Sequence, residues 1–148
     1  MKTNQGGIAL IKKYEGFVDH VYKCPAGLRT IGYGHRVRLG ERFPVVIRES
    51  DAQGILDKDL IFFEEKVKGL LIAPTTENQF SAMVSFAFNL GVGKLSTSTL
   101  LKFHNIGKYQ KASGEFARWN KARVNGVLEP LEGLTVRRRS EKLLYLKA

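Results

Sequence analysis

The sequence predicts an α+β fold, mainly α: a small N-terminal lobe with a short β-sheet, joined by one helix to a larger helical C-terminal lobe. Three observations carry this expectation. Apolar residues recur at helical spacing over most of the chain, glycines and β-branched residues concentrate between residues 17 and 47, and the stretch Glu77 to Leu90 is apolar on nearly every side. With 148 residues, 43% hydrophobic and 26% charged, the composition is globular and fits one domain (1–148) better than two independent ones.

Within residues 4–15, Ile8, Ile11 and Glu15 recur at i, i+3 and i+7, flanked by Leu10 and Tyr14, and Gly16 ends the helix. Glu15 therefore lies on the apolar stripe. From Phe17 to about Ile47 the pattern turns β, with Thr30-Ile31-Gly32-Tyr33-Gly34-His35 alternating as a strand does. On that strand Thr30, Gly32 and Gly34 would share one face, open to substrate or water. No other segment reads as β. Ser50 or Asp51 caps a helix to about Lys68, carrying Ile55, Leu56, Leu60, Phe63 and Val67 at helical spacing and stopping at Gly69. Thr76-Glu77-Asn78-Gln79 has the pattern of a capping box and opens the helix 77–90, closed by Gly91 and expected at the buried centre. Shorter helices follow at 97–105, 109–119 and 135–147, with turns at Gly107, Gly126 and Gly133. The expected lobes are thus 1–50 and 75–148, with 51–70 as the connecting helix and a cleft between the lobes as the place for a ligand.

The net charge is +10: residues 1–74 carry 12 basic and 9 acidic side chains, residues 75–148 carry 12 and 5, so the excess sits in the C-terminal half. Such a balance favours an anionic partner, whether nucleic acid, membrane surface or an acidic polymer such as a cell wall. One cysteine allows no internal disulfide and no zinc-finger pair. The longest apolar-rich run, Phe80 to Val92, is interrupted by Ser81, Ser85 and Asn89 and falls short of the roughly 20 residues a bilayer span needs. The N-terminus carries no secretory pattern, so the chain is expected to fold in the cytoplasm.

Glu15 is a carboxylate on an apolar face, where burial disfavours charge and suits a general acid. The alternative is that it turns outward, or pairs with Lys12 or His20. Cys24 lies in a turn beside Pro25 and Gly27, and by position alone is an ordinary thiol.

The run Glu15-Gly16, Tyr22, Cys24, Gly27 and Thr30 to His35 resembles the active-site segment of phage-type lysozymes, glycoside hydrolase family 24. Members carry a glutamate, eight residues, an aspartate or cysteine, five residues and a threonine, the spacing of Glu15, Cys24 and Thr30 here. The resemblance continues through Gln79 to Ala82, Ser85 to Gly91, Ser98 to Leu101, Phe116 to Trp119 and Gly133 to Glu141, in order, over nearly the whole chain.

The resemblance implies a lysozyme-like fold and an endolysin that cleaves the β-1,4 bond between N-acetylmuramic acid and N-acetylglucosamine in peptidoglycan. It implies Glu15 as the acid that protonates the leaving oxygen, Cys24 at the place of the second group, and Thr30 holding water or touching the sugar. It also implies Phe88, Asn89 and Thr99 facing the substrate, with no metal and no cofactor. Read by themselves, Phe88 belongs partly to the core, Asn89 caps a helix end and Thr99 serves its own helix. A free thiol ionises near about 8.5, so water activation with inversion and a thioglycosyl intermediate with retention both stay open. His35 is expected in an ion pair or hydrogen bond, Trp119 in the core and Asp19, off the spacing, in a surface pair with Lys23 or His20. Arg137-Arg138-Arg139 reads as a solvated face from which one arginine could reach the cleft.

From resemblance and N-terminus together, the chain is expected as a monomer held in the host cytoplasm until a holin-like partner gives access to the wall, with no nucleic acid bound and no stable membrane insertion. Two other readings compete. A zinc-dependent peptidoglycan amidase would draw on His20, His35, His104 and Cys24, but no H-E-x-x-H spacing supports it. A basic nucleic-acid-binding module would explain +10 and the triple arginine, but the basic residues are dispersed and no recognition-helix pattern appears.

Overall fold

Helix α1 (Gln5–Glu15) starts where the Asn4 side chain accepts the Gly7 N–H at 3.0 Å, and stops at Gly16, whose φ of 71° leaves the helical region. These belong to a computed structural model describing residues 1–148. A three-stranded antiparallel sheet follows: β1 (Val18–Lys23), β2 (Arg29–Gly32) and β3 (His35–Arg36), in the order β1-β2-β3. The segment expected as one strand over Thr30 to His35 is therefore two strands and a tight turn. Gly32 and Gly34 sit at φ 66° and 72°, a conformation that side chains disfavour, so Thr30, Gly32 and Gly34 do not share one strand face.

Helix α2 (Glu49–Lys68) begins before the expected caps. Arg48 is its N-cap, and Asp51 acts from the third helical position by accepting the Arg48 N–H at 3.0 Å. Helix α3 (Glu77–Leu90) opens with the Thr76–Gln79 capping box and closes at Gly91. It is the buried centre: Phe80, Met83, Val84, Phe86 and Ala87 are wholly inaccessible. The helix expected at 97–105 divides into α4 (Val92–Ser96) and α5 (Thr99–Asn105), with Ser98 capping the second. The one expected at 109–119 is α6 (Tyr109–Glu115) followed by a tighter turn over Phe116–Arg118. Beyond it lies a second sheet that the sequence reading left as a turn, β4 (Lys121–Val124) paired with β5 (Val127–Pro130). Asn125-Gly126, both at positive φ, form its two-residue hairpin turn, a local signal present in the sequence. Helix α7 (Glu132–Leu146) completes the chain, packed against α3 and α1.

One apolar cluster runs from Ile31 and Ile47 through Leu56 and Phe86 to Phe116 and Tyr145. Trp119 stacks edge-on against Phe86 at 5.5 Å, half-buried against that cluster. His104, wholly buried, bonds Tyr145 at 2.6 Å and Thr75 at 2.8 Å, and burial pushes its pKa down to about 4. A histidine depressed from about 6.5 in the unfolded chain takes up its proton more readily when unfolded, so stability falls as pH drops from about 6.5 towards 4. Urea midpoints at pH 7 and pH 4.5 are expected to differ more in the wild type than in His104→Gln; equal differences would refute this.

Candidate active site

Glu15 is the last residue of α1, its side chain 19% exposed. Its two oxygens have different surroundings. Oε2 accepts a hydrogen bond from Arg137 Nη1 at 2.7 Å, a contact bridging 122 positions of sequence between α1 and α7. Oε1 faces Gly34, where an added Cβ would lie only 2.5 Å away. Gly34 is thus required twice over, by its φ of 72° and by the carboxyl oxygen occupying the space a side chain would fill. The pairing with Arg137 replaces the expected alternatives, Lys12 and His20. His20 instead holds Asp19 at the surface, 2.8 Å away.

Arg137 is buried and belongs to a wider network. Its Nη2 donates to the Ser85 carbonyl at 3.3 Å, and its Nε reaches Glu141 Oε2 at 3.4 Å. Glu141, wholly buried, accepts the Ser85 hydroxyl at 2.6 Å and pairs with Arg138, whose Nε lies 2.6 Å from Oε1. Arg138 Nη2 passes on to Asn89 Oδ1 at 3.0 Å. Carboxyl and guanidinium groups so alternate along Glu15, Arg137, Glu141 and Arg138, with Ser85 bonded at the middle and Asn89 at the far end. The sequence reading placed the arginine run on a solvated face; only Arg139 is exposed, while Arg137 and Arg138 are 3% and 1% exposed. Helical spacing held the signal: Glu141 follows Arg137 by four and Arg138 by three, and Tyr145 of the core follows Glu141 by four.

Cys24 leaves β1 at the mouth of the β1–β2 hairpin, its N–H bonded to the Leu28 carbonyl at 2.9 Å and its own carbonyl accepting the Gly27 N–H at 2.7 Å. The backbone of Leu28 in the first place, helped by that of Ala26 and the charge of Arg36, pulls the thiol below its ordinary value despite partial desolvation. Thr30 in β2 is buried beside the sulfur and donates its single hydroxyl hydrogen to the Leu28 carbonyl at 2.9 Å. Tyr22 is the cross-strand partner of Thr30, and its phenol is pushed up by burial, then by the charges of Glu15 and Cys24. The sequence reading gave Tyr22 no role.

A cleft of about 380 Å³ opens beside Gly34. One wall is the β2–β3 turn and β3 with the chain after it, Gly34 to Arg38; the other is Phe62 and Phe63 of α2 and the end of α3, with Phe88 and Asn89. The Phe63 and Phe88 rings lie 5.1 Å apart. Thr99 starts α5 at the surface, outside this lining. His35 is held by Asp59 at 2.7 Å and Glu41 at 3.0 Å, which raise its pKa against the effect of burial. The histidines therefore go to three separate places, and no three His, Cys, Asp or Glu side chains converge as metal ligands.

Comparisons with known proteins point one way. Residues 12–141 match the phage lysozyme family. The chain is 41% identical over 150 residues to the endolysin of Acyrthosiphon pisum secondary endosymbiont phage 1, covering the whole of both. Among solved structures it superposes with a TM-score of 0.90 on the muramidase domain of SpmX from Asticcacaulis excentricus, at 36% identity with 99% of each chain covered. The endolysin from Escherichia coli O157:H7 phage FAHEc1 gives the same TM-score, at 34% identity, with 99% of this chain and 94% of that one covered.

Proposed function

The chain belongs to the phage lysozyme family, and from that premise we propose how its own residues carry out the reaction. It is an endolysin of the muramidase class, a glycoside hydrolase acting on peptidoglycan. The bond cleaved joins the anomeric carbon of N-acetylmuramic acid to O4 of N-acetylglucosamine. The observation that carries the assignment of the acid is the asymmetry of the Glu15 carboxyl, with Oε2 held by Arg137 and Oε1 without such a bond, against Gly34, which lines the cleft.

Glu15 gives the proton on Oε1 to the glycosidic oxygen, and the bond to the anomeric carbon breaks with its electron pair leaving on that oxygen. Arg137 then faces the carboxylate this creates. Thr30, whose hydroxyl hydrogen lies between the Leu28 carbonyl and the Cys24 sulfur, offers its lone pairs to a water molecule, and so does the Cys24 thiolate. Water bonded to both directs its own lone pair at the anomeric carbon, gives up a proton to Cys24 and adds from the face opposite the leaving sugar. The product at muramic acid is the inverted α anomer. Phe88 and Asn89 form the helical wall along which the glycan lies; Thr99 touches the glycan only if it extends beyond this lining. The reading treats 1–148 as one catalytic domain of lobes 1–50 and 75–148 joined by 51–70. No helix is long and apolar enough to cross a membrane, and on this reading the chain waits in the host cytoplasm, acts as a monomer and meets the wall through a holin-like partner.

The test is the chemistry of the fragments released from purified walls. Reducing-end N-acetylmuramic acid is expected, unaffected by chelator, with the α anomer seen first by proton NMR. Cys24→Ala is expected to lose about 10²-fold or more, and Cys24→Asp to retain most of the rate, since either an aspartate or a thiolate accepts the water proton. Free peptide stems and inhibition by chelator would make the protein an amidase; a β anomer would make Cys24 a covalent nucleophile.

A further inference from the structure

The cleft wall carries a cation, Arg36, that no acid of the fold pairs. Arg36 ends β3 directly across the ladder from Thr30, so both side chains leave the sheet on the same face. Thr30 is buried there while Arg36 is exposed on the cleft wall, opposite Phe62, Phe63 and Phe88. Arg36 joins none of the ion pairs of the molecule. The acids nearest along the chain are otherwise engaged: Glu41 bonds His35 and the Arg38 N–H, and Asp59 bonds His35. An arginine without an acid, on the wall of a polysaccharide cleft and beside the group that faces the anomeric carbon, asks for an anion on the substrate.

The sugars of this substrate are neutral. Its charge lies on the peptide stem, which leaves the muramic acid ring through the lactyl ether, on the same ring whose anomeric carbon faces Cys24. In that stem one alanine separates the lactyl group from a D-glutamate, whose α-carboxylate is free in some walls and amidated in others. We propose that Arg36 is a specificity-determining residue that receives this carboxylate, so that the enzyme selects acidic stems over amidated ones. The guanidinium fork matches a carboxylate with two parallel bonds, which an amide cannot accept equally. The contact lies at the open edge of the cleft, so its effect is moderate and weakened by salt. The inference rests on the muramidase reading.

The experiment uses two soluble tetrasaccharides of alternating N-acetylglucosamine and N-acetylmuramic acid, one bearing L-Ala-D-Glu stems and the other L-Ala-D-isoglutamine stems, both with the γ-carboxyl blocked as a methylamide so that only the α-carboxylate differs. In the wild type, KM is expected about tenfold lower for the acidic stem, an advantage that shrinks as salt rises. In Arg36→Gln the ratio of the two KM values falls to about one, and Arg36→Lys restores part of it. Equal KM values in the wild type would overturn the proposal. So would an Arg36→Gln variant that slows both substrates by the same factor and moves the pH profile, which would place the effect of Arg36 on the Cys24 thiol instead. If the wild type cleaves neither tetrasaccharide, the muramidase reading fails first, a result distinct from lost discrimination.

Discussion

Replacing Glu15 by glutamine is expected to reduce wall hydrolysis by about 10³-fold or more while changing stability by less than about 1 kcal/mol. The two expectations come from the two oxygens. An amide keeps the shape of the carboxyl and can still offer its oxygen to Arg137 Nη1, which lies 2.7 Å from Oε2 in the wild type. It cannot supply an acidic proton, and the sugar oxygen must then leave as an alkoxide. Arg137 loses the charge of one partner but retains Glu141 at 3.4 Å and the Ser85 carbonyl at 3.3 Å, so the α1–α7 contact should persist. The measurement is initial turbidity loss of permeabilised Gram-negative cells alongside a thermal melt. Activity within tenfold of wild type would remove Glu15 from the role of acid; an inactive variant that melts far below wild type would show that the charge serves the fold instead.

The largest effect on stability is expected at Glu141. This side chain has no exposure and faces Arg138 and Arg137, themselves nearly inaccessible. Removing the anion leaves Arg138 in the interior with no counter-charge, Arg137 with Glu15 alone, and the Ser85 hydroxyl without its acceptor, so Glu141→Leu should cost about 3–5 kcal/mol. That is a large share of the roughly 5–15 kcal/mol that holds a domain of this kind together. Removing the cation as well should be milder: Arg138→Met with Glu141→Leu replaces the pair by apolar volume and is expected to recover part of the loss. Urea unfolding of the single and double variants measures both numbers. A single variant within about 1 kcal/mol of wild type would mean that the network is far more hydrated than its burial indicates.

Much of what is specified by neighbours along the chain was legible in the sequence. Asn4 and the Thr76–Gln79 box mark helix starts because their bonds close within three residues, and α3 reveals its burial because almost all its side chains are apolar. The spacing of Glu15, Cys24 and Thr30 was legible only through its resemblance to the phage-type lysozyme pattern. Three features were not. Arg48 caps α2 through its backbone alone, so its residue type carries no mark. The β4–β5 hairpin was announced by Asn125-Gly126, but its exposed strands lack the alternation that identifies a half-buried sheet. Arg137 and Arg138 look like solvent-facing residues until their partners are known, and two of those, Glu15 and Asn89, come from helices far away in sequence. Gly34 is a similar case: its reason is the carboxyl of Glu15, not its own turn alone.

The bond between Glu15 and Arg137 also orders events in time. The acid is made 122 residues before the guanidinium that fixes it, which lies in α7. A nascent or truncated polypeptide without α7 has its carboxyl unheld and α3 uncovered on one side. The lytic centre is therefore assembled only when synthesis has passed α7, and a ribosome that stalls before it yields a fragment with the glutamate present but not armed.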